Sequence, residues 1–178
     1  MAGPHHFRGL GAAAVLLLTL GGATAAQQAP DGIQVYTNPQ FHWSIAYPAT
    51  WGIEADNAQF VRIVAPEKNG ICGVRSRPTS QATADALADY ALAYAKKNLK
   101  EHRGLDQVTV SRERTRLRGD IEATEVTVAM KPNGGQARRI YAVVNGNGFM
   151  VDCAASDAAW HSNEPQFKKI IASFTPSR

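Results

Sequence analysis

The chain has 178 residues, 44% of them hydrophobic, with 19 Lys+Arg against 15 Asp+Glu and a formal net charge of +4. That length supports one hydrophobic core and falls short of two ordinary domains. The basic excess is too mild for a nucleic-acid partner, which calls for a heavily charged face, and no such partner is expected.

Residues 1–26 carry Arg8 near the start, an apolar run from Leu10 to Leu20, and then the small residues Ala23, Thr24, Ala25 and Ala26. This order predicts a cleavable signal peptide over 1–26, cut after Ala25 or Ala26. The apolar run is shorter than the roughly 20 residues that cross a bilayer, so no transmembrane anchor is expected after cleavage. No twin-arginine pair precedes the run and no cysteine sits at the cut, which points to general secretion without a lipid anchor. The protein is therefore expected to be exported, to the periplasm or beyond. Residues 27–40, with Pro30, Gly32 and Pro39, read as a flexible leader, and residues 41–176 as a single domain.

Within that domain, Phe41-His42-Trp43-Ser44-Ile45-Ala46-Tyr47 places aromatic or branched residues at alternate positions, the period of a strand with one buried face. Pro48 ends it and Trp51 follows at the turn. Phe60 to Val64 and Gly70 to Val74 read as short strands around a Pro/Gly/Asn-rich loop. Pro78 to Thr83 supplies turn and capping residues for a helix over Ala84–Lys100, with Leu87, Ala91, Tyr94 and Leu99 on roughly one face and Gly104 closing it. A β meander follows, with strands over Val108–Arg114, Ile121–Met130, Ala137–Val144 and Phe149–Cys153. Its turns, Arg118-Gly119-Asp120, Pro132-Asn133-Gly134-Gly135 and Asn145-Gly146-Asn147-Gly148, are rich in residues that tolerate positive φ. A short helical turn is expected over Ala154–Trp160. Ser162 or Asn163 could then cap a final helix, with Pro165 in its first turn and Phe167, Ile170, Ile171 and Phe174 on its apolar stripe. The fold class is α+β, a mostly antiparallel sheet with flanking helices.

The segment Trp43-Ser44-Ile45-Ala46-Tyr47-Pro48-x-x-Trp51 resembles the opening of PsbP/Mog1-like domains. The ending is similar too: Phe149 to Ala154, Trp160, and Pro165-Gln166-Phe167 through Ile170-Ile171-Ala172-Ser173-Phe174 look like that family's last strand and its closing helix. The resemblance covers about Phe41 to Phe174 and implies an α/β/α sandwich. The matched residues are apolar and turn positions, so they bring no chemistry with them. The group includes photosystem II extrinsic subunits, a nuclear-transport regulator and many exported bacterial proteins; the signal segment favours the last of these.

Export would place Cys72 and Cys153 in an oxidising compartment, where one disulfide is expected; the alternative is a pair of buried thiols that only pack. Neither has a Cys-x-x-Cys neighbour or a locally paired histidine, so no metal and no cofactor is expected. Of His42, His102 and His161, only His161 has an acid at helical spacing, Asp157, as a ligand pair, an acid–base couple or a surface ion pair. The sequence holds no Gly-x-Ser-x-Gly elbow, no His-Glu-x-x-His and no phosphate loop between a strand and a helix.

One pattern is unusual. Arg112, Arg114, Arg116 and Arg118 fall at every second position, so an extended chain presents them together, as a ladder for phosphate or carboxylate groups. Val108 and Val110 share their parity, which implies a bulge, bend or strand end near Ser111. The alternative is a solvated hairpin whose arginines pair with Glu113, Asp120, Glu122 and Glu125.

The function expected is a non-catalytic exported accessory or binding protein of the cell envelope, meeting an envelope protein or an anionic envelope component. The alternatives are a periplasmic small-ligand carrier built on Trp43, Tyr47 and Trp51, and an enzyme acting on an envelope substrate through Asp157 and His161. The intact mass of the exported protein is expected to match a chain beginning at Ala26 or Gln27; retention of residues 1–25 would make the segment an anchor.

Overall fold

The computed structural model describes residues 27–29, 32–132 and 134–177. The signal segment read over residues 1–26 lies outside them. The described chain runs β1 (Gln27–Ala29), β2 (Ile33–Asn38), β3 (Trp43–Pro48), β4 (Gly52–Asn57), β5 (Phe60–Val64), β6 (Ile71–Pro78), α1 (Ala84–Arg103), β7 (Asp106–Leu117), β8 (Ile121–Lys131), β9 (Gly135–Val144), β10 (Asn147–Ala155), α2 (Asp157–Ser173) and β11 (Thr175–Pro176).

These strands form two antiparallel sheets. The larger has the order β4-β5-β6-β10-β9-β8-β7, and the smaller the order β1-β2-β3-β11. Alternation along the strands sends their side chains to two separate cores. On one face of the large sheet, Leu87 and Ala88 of α1 bury against Val126 and Val128 of β8 and Ala137 and Tyr141 of β9. On the other, α2 and the small sheet cover Val74, Ile140, Phe149 and Val151, with Trp43, Phe167 and Phe174 at the centre. Helices thus flank a mostly antiparallel sheet, as the residue pattern predicts.

Local signals explain most of the boundaries. The Thr83 hydroxyl accepts from the Ala86 N–H at 3.2 Å, capping α1, and Gly104 ends it in the left-handed conformation at φ 63°. Asn145 and Gly146, both at positive φ, make a two-residue hairpin between Val144 and Asn147, the loop whose twist matches paired strands. Gly135, at φ 90°, admits no side chain, since a Cβ there would lie 2.2 Å from the Ala155 carbonyl oxygen.

Two expectations are corrected. Within the leader read over 27–40, residues 33–38 form β2, paired along its length with β3; Tyr36 packs on Trp43 at 5.4 Å between ring centroids, and the Tyr47 hydroxyl donates to Gln34 Oε1 at 2.9 Å. Its half-exposed, mixed sequence hid it. The two C-terminal helical pieces are one helix, α2, capped at Ser156 and running through Pro165. Ser162 and Asn163 do not cap it, because both side chains donate back to the Ala159 carbonyl. Trp160, Asn163, Phe167, Ile170 and Ile171 make one continuous buried stripe, and burying it outweighs the single backbone bond that Pro165 removes. Gly52–Asn57, to which the residue pattern assigns no element, pairs with β5 as an edge strand.

Cys72 and Cys153 are bonded. They sit directly opposite each other on β6 and β10, both fully buried, 81 residues apart in sequence. Closing a loop of that size restricts the unfolded chain by about 4 kcal/mol. For a domain of this size, reduction should lower the melting temperature by about 10 °C. A thermal melt with and without a thiol reductant measures it, and an unchanged midpoint would contradict the assignment of stability to this bond.

Candidate functional site

The arginine row begins with a backbone irregularity. The β7–β8 register shifts between Thr109 and Ser111, so Val110 is the extra residue of a bulge, and the parity change expected near Ser111 occurs there. Val108 and Val110 are not buried; both stay largely exposed on this edge strand. Beyond the bulge, Arg112, Arg114 and Arg116 stand opposite Val126, Thr124 and Glu122, on the side of the sheet that carries α1. Arg118 lies past the strand end, in the turn built on Gly119 and Asp120 at positive φ, and is exposed.

Three of the four guanidiniums are engaged by carboxylates. Arg112 bridges Asp85 and Asp89, which lie four residues apart on one flank of α1. Arg114 Nε donates to Asp85 Oδ2 at 2.7 Å, and Arg116 pairs with Asp120 across the turn. Asp85 also accepts from the Thr124 hydroxyl at 2.7 Å. That hydrogen bond, with those from Arg114 and Arg112, lowers the Asp85 pKa to about 2. A carboxylate so acidic is no general base at neutral pH. It works as a clamp that fixes the first turn of α1 to the edge strand, where negative charge also favours the helix dipole.

Of the acids expected to pair with the row, Asp120 does so. Glu125 instead pairs with Arg138, which also reaches Glu164 of α2 on the opposite face of the sheet. Asp85 and Asp89 were not foreseen, because they lie more than 20 residues upstream; their i, i+4 spacing on a helix was the available signal. An open cleft of about 550 Å³ runs beside the clamp, lined by Asp85, Arg114, Arg116, Glu122 and Thr124. Its walls carry both signs of charge.

The other sequence candidates are dispersed. Asp157 and His161 share α2, but Asp157 meets Gln136 at 3.5 Å, and no ion pair joins it to His161 among the described residues. His42 and His102 are exposed on other segments. Trp43 and Tyr47 of β3, with Trp51, are core residues, buried between the small sheet, α2 and the large sheet; Trp43 Nε1 donates to Ser76 Oγ at 3.0 Å. Under α1, Arg139 is 8% exposed and donates to Asp152 Oδ1 and Gln107 Oε1. The neighbouring Tyr141 hydroxyl is buried, which pushes its pKa up to about 12.

A second basic feature went unread in the sequence. On β6, the exposed residues Arg75 and Arg77 alternate along the strand, and each guanidinium lies over an aromatic ring. Arg75 is 4.0 Å from the centroid of Phe60, its cross-strand partner on β5, and Arg77 is 5.8 Å from that of Tyr90 on α1. The signal was the run Val74-Arg75-Ser76-Arg77, which alternates buried and exposed.

No protein-family model matches the chain, and no curated protein sequence matches it. The fold is similar to that of cyanobacterial PsbP from Synechocystis, at TM-score 0.66 and 14% identity, over 90% of this chain and 99% of that one. A Pseudomonas aeruginosa protein of unknown function aligns at TM-score 0.50 and 14% identity, over 82% of this chain and 98% of that one. The likeness is one of fold: a PsbP-like α+β architecture.

The clamp has a pH signature. Asp85 is depressed from its ordinary value of 3.8 to about 2, so the stability it contributes is complete above about pH 4 and is lost as pH falls toward 2. Asp85→Asn should melt below the parent at neutral pH, and the gap should narrow on acidification through that window. Melts taken from neutral pH down to about pH 2 would show it, and a constant gap would remove Asp85 from the acid limb.

Proposed function

We propose that this chain is an exported member of the PsbP/Mog1-like group and serves as a non-catalytic accessory or binding protein of the cell envelope. The observation that carries the reading is the Cys72–Cys153 bond at the centre of a PsbP-like fold. A fully buried disulfide between adjacent central strands belongs to an oxidising compartment, and the signal-like segment over residues 1–26 supplies a route to one. No helix among the described residues is long and apolar enough to cross a membrane.

The partner in this reading is an envelope protein or another anionic envelope component. The β7 arginines are one place for it. Arg112, Arg114 and Arg116 would exchange Asp85, Asp89 and Asp120 for the partner's own acidic groups, and Arg118 would add a guanidinium that meets no carboxylate among the described residues. Each exchange replaces one ion pair by another, so the net gain is small and falls further as salt rises.

Cross-linking in intact cells, followed by fractionation and identification of the attached species, tests the reading. The expected result is an envelope-fraction protein, oxidised at both cysteines, attached to a discrete macromolecular partner. A reduced, cytoplasmic protein would overturn the export, and a trapped small molecule in place of a partner would favour the carrier.

A further inference from the structure

Helix α1 packs over β7, β8 and β9, and its Tyr90 side borders the neighbouring face of β5 and β6. Arg75 and Arg77 stand on that face, beside Phe60 and next to the flank of α1 that carries Tyr90 and Tyr94. The two tyrosines lie four residues apart and are 48% and 62% exposed, which is unusual for side chains of that size. Asp85 and Asp89 occupy the opposite flank of the same helix, where they hold the β7 arginines.

The two arginine sets therefore differ in what they can still do. On β7, Arg112, Arg114 and Arg116 already hold carboxylates, whereas Arg75 and Arg77 meet none among the described residues. An aromatic ring beneath a guanidinium engages its flat face and restrains its position, while the N–H donors lie in the plane and remain open to a carboxylate fork. Alternate residues of a strand are about 6.8 Å apart, and so are alternate residues of any extended peptide laid alongside.

We infer that this face docks an extended acidic segment of a protein partner, with carboxylates at alternate positions meeting Arg75 and Arg77 and the intervening chain lying against Tyr90 and Tyr94. The inference rests on the binding-protein reading and names the surface and the partner's chemistry. A membrane fits less well, because anionic bilayers recruit clusters of several cations, and here Glu54 stands beside them, paired with Arg62.

The test uses the full chain, purified oxidised, and a fluorescein-labelled peptide in which aspartate alternates with threonine, against a control with asparagine in place of every aspartate. The aspartate peptide should bind and the control should not. Arg75→Gln with Arg77→Gln should weaken binding about tenfold or more, with the melting temperature unchanged. Arg75→Lys with Arg77→Lys should recover only part of it, since lysine keeps the charge and loses the fork. Equal binding by the glutamine pair would overturn the inference, as would loss of binding in Arg116→Gln with Arg118→Gln instead. Sedimentation with phosphatidylglycerol vesicles, lost in the Arg75/Arg77 variant while peptide binding is absent, would reassign the face to membranes. If the variants fail to fold, peptide titration of the parent followed by NMR decides: shifts at Arg75, Arg77, Tyr90 and Tyr94 support the face, and shifts confined to β7 overturn it. Peptide binding without a cross-linked partner in cells would fail the accessory reading alone, whereas a captured partner indifferent to Arg75 and Arg77 would fail only this surface.

Discussion

The ladder between β6 and β10 is the constraint on which the architecture depends. It is where the N-terminal strands β4, β5 and β6 join the meander of β7 to β10, and without it the large sheet would be two separate pieces. The Cys72–Cys153 bond lies in register within this ladder, next but one to Val74 opposite Val151, with all four side chains fully buried. Ser76, on the same strand, accepts from the Trp43 indole and so ties the small sheet to the large one. One nonlocal pairing thus carries a covalent staple, part of the core and a link between layers.

Charge is distributed around α1 with a corresponding asymmetry. Its acidic flank satisfies the arginines of the β7 edge. Its aromatic flank borders β6, whose arginines lie over rings instead of carboxylates. The same helix therefore neutralises one basic surface and leaves the other with donors to spare. Between them, under the helix, Arg139 is compensated by Asp152 and Gln107, the pairing that a buried cation requires.

Much of the fold was legible in the residues. Alternation in Phe41–Tyr47 and in the meander, the Thr83 and Gly104 caps, and the Asn-Gly hairpin all state local preferences that tertiary packing obeys. Ile33–Asn38 is mostly half-buried and shows no period of two, and Gly52–Asn57 is an edge strand with a register shift, so neither carries a clear strand signal in its residues. Pro165 taken alone signals a helix start, whereas the buried residues on both sides of it carry one helix through it. The site was less legible for a different reason. The arginine alternation and the bulge are local and were visible; the acids that quench the row come from another element, and no spacing along β7 reveals them. For Arg75 and Phe60, only the cross-strand register brings the cation to the ring.

Thr175–Pro176 pairs with β3, and β6, which has β5 on one side, finds its partner on the other in Asn147–Ala155. Both ladders join segments far apart in sequence, the kind of nonlocal pairing that loop-closure entropy opposes. The Cys72–Cys153 bond spans one of these long intervals, so a pairing that costs the chain much to close is held covalently once made.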